Sequence, residues 1–157
     1  IWGFLFVSVI GSLLHFVYEW SGNNSIVRLF APWNESTWEH MKLLFFPMLV
    51  LVLFLFFKLP EQSPIPVALS IGTLVGLALI PILFYTYTGV LGFSVMAIDI
   101  AIFYISVLGV FLTGWFLKDN RKLANRSGLL LTCLVILAIL FFIFSYYPPE
   151  IGLFQEP

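Results

Sequence analysis

Both histidines of the chain, His15 and His40, and three of its eight acids, Glu19, Glu35 and Glu39, fall in two short runs, HFVYEW and PWNESTWEHMK. Two imidazole nitrogens with one or two carboxylate oxygens make a three- or four-ligand shell suited to zinc or another divalent ion. An incomplete shell keeps a position open for water. Most of the surrounding chain is hydrocarbon, and an ionisable group set among membrane helices marks a functional site by default, because lipid offers it no partner.

His15 belongs to a stripe. Ser8, Ser12, His15 and Glu19 are spaced i, i+4, i+7, i+11, which keeps them on one narrow face of a helix. Such a face turns toward protein or water, since lipid cannot satisfy it. His15 and Glu19, four apart, can chelate one ion. The competing reading ends the helix at Glu19 in the headgroup layer and gives His15 a hydrogen bond to a neighbouring helix.

The second run opens a helix. Ser36 and Glu39 match the S-x-x-E capping box, in which the serine accepts from a first-turn N–H and the glutamate reaches back. Glu39 is then occupied by capping and by an i,i+3 pair with Lys42. Asn34 is a rival cap that would free Glu39 for chemistry. Neither cap accounts for His40, which points about 100° round the helix from Glu39, so only a crevice between helices can collect both. Pro47, on the face of His40, is expected to kink the helix and open the mouth of a bundle.

Asp99, in FSVMAIDIAIFYIS, has no Lys or Arg within a helical turn. It needs a partner from another helix, a bound cation or its own proton. Ser106 and Thr113 continue its stripe. The candidate set is therefore a metal shell of His15, Glu19, His40 and Asp99, with Glu39 or Glu35 as catalytic base or outer support. Bound water in such a shell, its pKa lowered toward about 7, can hydrolyse an ester or amide in a lipid-like substrate. No H-E-x-x-H signature accompanies these residues, and whether the protein is an enzyme stays open. Rival readings are a pocket that binds a ligand for a transport partner, haem held by His15 and His40, serine catalysis through Ser36 or Ser12, and a polar network that only locks helices together.

The elements that must position these groups are set by composition. The chain of 157 residues is 61% hydrophobic, 18% aromatic and only 10% charged, with a mean hydropathy of +1.07. Soluble domains run at about 25% charged, so this is an integral membrane protein in a cell membrane, with lipid as its first partner. A formal net charge of -1 excludes a nucleic-acid surface. Crossing takes about 20 apolar residues, and uninterrupted apolar length gives five spans near 2–20, 37–58, 66–87, 92–117 and 129–147 in one helical domain. The fold class is an all-α bundle of transmembrane helices. The chain starts at Ile1 and looks trimmed. Its first span, without a small-residue cleavage pattern, reads as a retained helix and not a signal peptide.

Lys118, Arg121, Lys122 and Arg126 crowd the fourth connection, and alternation puts Lys58 on the same side. The bias of basic residues toward cytoplasmic loops then sets the N-terminus inside and the C-terminus outside. Glu19, Glu35, Glu39, Glu150 and Glu156 fall outside, and Asp99 lies in the outer half of its span. Every candidate ligand thus belongs to one face. Arg28 and Lys42 depart from the pattern and are candidate partners of these carboxylates. Gly72 and Gly76 form a G-x-x-x-G step for close helix packing. The lone Cys133, in an apolar run, reads as core filler. The tail EIGLFQEP carries enough apolar residues to fold over the outer mouth.

The run H-x-x-Y-E-W-S-G from His15, followed by P-x-N-E-S-x-W-E-H-x-K ending at Lys42, resembles an uncharacterised family of small bacterial multi-spanning membrane proteins. The terminal YYPP and LFQEP belong to the same likeness, which covers nearly the whole chain. It implies an integral membrane protein and emphasises His15, Glu19, Asn34, Glu35, Glu39, His40 and Lys42. It brings no activity with it.

Overall fold

The computed structural model describes residues 1–156; Pro157 lies outside them. Five helices follow one another: α1 (Trp2–Trp20), α2 (Thr37–Lys58), α3 (Ile65–Leu91), α4 (Met96–Leu117) and α5 (Ser127–Tyr146). Short 3-10 turns at Val27–Leu29, Arg121–Arg126 and Gly152–Phe154 complete the chain, and the described residues contain no strand. All five helices are long and apolar enough to cross a membrane, which marks a multi-pass membrane protein.

Local chemistry sets the boundaries. Gly22 at φ 68° and Asn23 at φ 61° turn the chain left-handed after α1, a conformation that glycine and asparagine adopt most readily. Ser36 caps α2 by accepting from the Glu39 N–H at 3.4 Å. Pro64 precedes α3, whose last carbonyls are closed by Gly92 at φ 81°. With that terminator, α3 runs four residues beyond Tyr87, and α4 starts only at Met96.

The N-terminal half of α2 is the centre of the bundle. From Thr37 to Met48 every residue but His40 is buried. α1, α3 and α5 all pack on it. Large apolar side chains such as Leu5 and Phe16 on α1 or Ile136 and Ile143 on α5 are exposed, as a lipid-facing surface demands.

Glycines let the backbones meet. A Cβ at Gly72 would lie 2.4 Å from the Val110 carbonyl oxygen, and one at Gly76 would lie 2.5 Å from a Val110 methyl; the G-x-x-x-G step thus seats α3 against α4. Pro47 has no N–H to offer the Leu43 carbonyl one turn earlier. Gly11 of α1 approaches that same carbonyl, where a Cβ would be 2.5 Å away. Gly3 lies against Phe111, Gly11 against Phe103, and Ser12 Oγ is 3.1 Å from the Tyr104 hydroxyl. Numbers on α4 fall as those on α1 rise, so the two helices are antiparallel. The same register sets His15 level with Asp99.

Candidate functional site

The site is built by the turn that starts α2. Asn34 Oδ1 accepts from the Ser36 N–H at 3.1 Å and from its hydroxyl at 2.8 Å. This folds residues 34–36 tightly against the first helical turn and brings the Glu35 carboxylate back over His40. His40 Nε2 lies 3.3 Å from Glu35 Oε2. On the other side of its ring, His40 Nδ1 donates to the Ser36 carbonyl at 3.0 Å.

That second bond has a chemical consequence. With Nδ1 committed as a donor, Nε2 is the nitrogen that a neutral ring leaves bare. It nevertheless faces a carboxylate oxygen, which is itself an acceptor. Two arrangements satisfy this contact: a proton on Nε2, or a cation between Nε2 and Glu35.

His15 reaches the same place from α1. Its ring centroid is 5.3 Å from that of His40. One ligand atom from each of His15, Glu35 and His40 lies within 4.8 Å of the others. His15 Nδ1 is buried and has no hydrogen-bond partner, an unusual state for a buried polar atom. A tetrahedral zinc shell with bonds of about 2.0–2.1 Å spaces its ligand atoms roughly 3.4 Å apart. The His40–Glu35 edge has that length, and the His15 edges close with a shift on the order of 1 Å. The hydrogen bond from His40 holds the Glu35 carboxyl below its ordinary value of 4.5, against a smaller opposing effect of burial.

Glu19 and Asp99 lie around this cluster. Glu19 is exposed one turn beyond His15, near enough for its charge to be felt there. Asp99 accepts a hydrogen bond from the Tyr87 hydroxyl across the α3–α4 hairpin, and that hydroxyl accepts from the Val95 N–H at 3.1 Å. The Asp99 charge is also felt at His40. Neither carboxylate joins the three clustered ligands.

Glu39 points the other way, into the bundle, and is 2% exposed. Its Oε2 lies 2.5 Å from Lys42 Nζ, and its Oε1 lies 3.4 Å from Ser145 Oγ. Lys42, fully buried, donates further to the Arg28 carbonyl at 2.9 Å and to Ser145 Oγ at 2.5 Å. Ser145 Oγ donates in turn to the Phe141 carbonyl at 2.8 Å. The i,i+3 pair with Lys42 thus holds Glu39, and the reach-back half of the capping box is absent.

Arg28 closes this lattice from above. Its guanidinium sits 3.7 Å from the Trp33 ring centroid and 4.9 Å from that of Tyr146, and it donates to the Ser145 carbonyl at 2.5 Å. Tyr146 donates to the Ser25 carbonyl at 2.7 Å. The loop between α1 and α2 is thereby clamped to the end of α5. Sequence reading missed Ser145; its one signal was a single hydroxyl in the apolar run FFIFSYY. The tail packs beside this lattice, with Phe154 buried between Trp38 and Phe144 at centroid distances of 4.9 and 5.2 Å. Neither serine considered for catalysis stands alone, since Ser36 donates to Asn34 and Ser12 pairs with Tyr104.

Over residues 1–157 the chain matches the family described as "Family of unknown function (DUF6512)", and it belongs to that family. No curated protein and no solved structure matches it.

Proposed function

For a member of this family we propose a multi-pass protein of the cell membrane, N-terminus inside and C-terminus outside, that holds a divalent metal ion, zinc by donor type, at its outer boundary. His15, His40 and Glu35 are the ligands. The observation that carries this reading is the convergence of two imidazoles and a carboxylate within 4.8 Å from two helices and a loop, with His40 Nδ1 tied to a carbonyl. Metal-bound histidines almost always make such a bond through the second nitrogen. Glu19 and Asp99 stand beyond the ligands, near enough for the charge of Glu19 to be felt at His15 and that of Asp99 at His40.

Three protein ligands leave room for a water, and a zinc-bound water near neutral pKa attacks esters and amides. At the edge of the bilayer the substrate would be lipid-like, with Glu19, outside the three ligands, taking the proton. Passage of a ligand across the membrane is not favoured, because ionisable residues are absent from the middle of every helix.

Zinc titration of the detergent-purified protein against a chromogenic chelator tests the reading. His15→Ala, His40→Ala and Glu35→Gln should each weaken binding by more than the 10- to 100-fold that loss of a mere supporting residue costs. Glu61→Gln, beyond the far end of α2, should leave affinity unchanged. Asp99→Asn distinguishes a fourth ligand, which would also cost at least tenfold, from a carboxylate held aside by Tyr87. Wild-type protein that fails to compete with the chelator contradicts the proposal.

A further inference from the structure

The opposite end of the bundle carries a second candidate, independent of the histidines. Lys58 ends α2, Lys118 follows α4, and Arg121, Lys122 and Arg126 lie in the 3-10 turn before α5. Against these five cations the same end holds two carboxylates, Glu61 and Asp119. Asp119 is 3.8 Å from Lys118. Among the described residues, Lys58, Arg121, Lys122 and Arg126 make no ion pair.

A cleft of about 500 Å³ opens here between the α2–α3 turn and the α4–α5 connection. It is lined by Arg121 with the neutral polar residues Gln62, Ser63 and Asn125, framed by Pro60 and Pro64. A guanidinium presents planar paired donors that match phosphate oxygens, and amide and hydroxyl groups supply further donors without cancelling its charge. Glu61 is not on the wall. The volume accommodates a phosphate with its glycerol-sized substituent.

Exposed aromatic residues at the same end of the bundle select the source of that phosphate. Phe57 is 89% exposed, Phe116 80% and Trp115 64%; they stand one to six residues inside the basic rim, on the side surfaces of α2 and α4. Lys118 Nζ lies 3.7 Å from the Trp115 ring centroid, so cation and aromatic face form one unit. A free anion has no use for these rings, whereas acyl chains lie along them while the headgroup enters the cleft. Basic pockets between helix ends bind anionic headgroups by this combination. We propose that this cleft is a binding site for an anionic phospholipid, with Arg121 as the phosphate anchor.

The test is retention of lipid by the full chain in detergent, with phosphatidylglycerol and phosphatidylcholine offered in equal amounts and bound lipid counted by native mass spectrometry. Wild-type protein should retain phosphatidylglycerol preferentially. Arg121→Gln should lower that preference about fivefold, the worth of one basic residue at an anionic interface. Arg121→Lys should restore part of it, and unchanged melting of both variants shows that the fold persists. Lys122→Gln, off the cleft wall, should change little. Equal retention of the two lipids overturns the proposal, as does an equal effect of Lys122→Gln and Arg121→Gln, which would mean a diffuse field and no site. Displacement of the lipid by millimolar inorganic phosphate would assign the cleft to soluble anions and overturn it too.

Discussion

Lys42 Nζ and Glu39 Oε2 lie 2.5 Å apart inside the bundle near the start of α2, the lysine fully buried and the glutamate 2% exposed. Two opposite charges removed from water survive there because polar groups surround them: the ammonium donates to the Arg28 carbonyl and Ser145 Oγ, and the second oxygen of the carboxylate lies 3.4 Å from the same Ser145 hydroxyl. This lattice fixes the loop that carries Glu35, and so stands behind the His15–Glu35–His40 cluster without joining it.

Breaking the pair from one side leaves a buried charge alone, at a cost of about 3–5 kcal/mol. Lys42→Met and Glu39→Gln should each lower thermal stability in detergent strongly. The double variant should recover much of the loss, because no unpaired charge remains. Additive losses in this double-mutant cycle would show that the two side chains do not act as a unit.

Glu35 gives the metal-free protein a pH signature. Its carboxyl is held below 4.5 by the hydrogen bond from His40, so the folded state binds its proton less readily than the unfolded chain. The stabilisation is complete above 4.5 and is lost as pH falls through the lowered folded value. Melting of wild type and Glu35→Gln below about pH 6, where an ordinary imidazole is protonated, should show a wild-type advantage that disappears in acid. Glu35 is largely exposed, so the advantage is small; a gap that widens on acidification would reverse the sign of the coupling.

The α3–α4 contact depends on one missing side chain. A methyl at Gly72 would stand 2.4 Å from a backbone oxygen that cannot rotate away, so Gly72→Ala should cost about 1–3 kcal/mol through forced separation of the helices. Gly89, on the same helix with nothing within 4 Å of its added Cβ, is the control: Gly89→Ala should be neutral or slightly stabilising, since alanine is the better helix former. Equal melting temperatures for the two variants would remove the close-packing account.

Five helices were legible in the sequence because lipid leaves apolar length little freedom: a run such as LLLTCLVILAIL has no other stable form in a bilayer. The two histidines and the acids near them stood out for the same reason, as polar exceptions in hydrocarbon. Which acids meet the histidines was not. Glu19 and Asp99 have the right height, but Asp99 is engaged by Tyr87, twelve residues earlier and on another helix. Glu35 reaches His40 only because Asn34 bonds to Ser36 and tightens the turn. Glu39 is drawn inward by a serine more than a hundred residues away. Periodicity reports which face of a helix a residue occupies and cannot report a loop that folds back over it.

The central claim is that His15, His40 and Glu35 hold a metal ion. It is tested most directly by the metal content of wild-type protein purified from membranes without chelators, measured by elemental mass spectrometry beside a His15→Ala/His40→Ala control. About one zinc or other divalent ion per chain in the wild type, and none in the control, is the expected result; a wild type as free of metal as the control would contradict it.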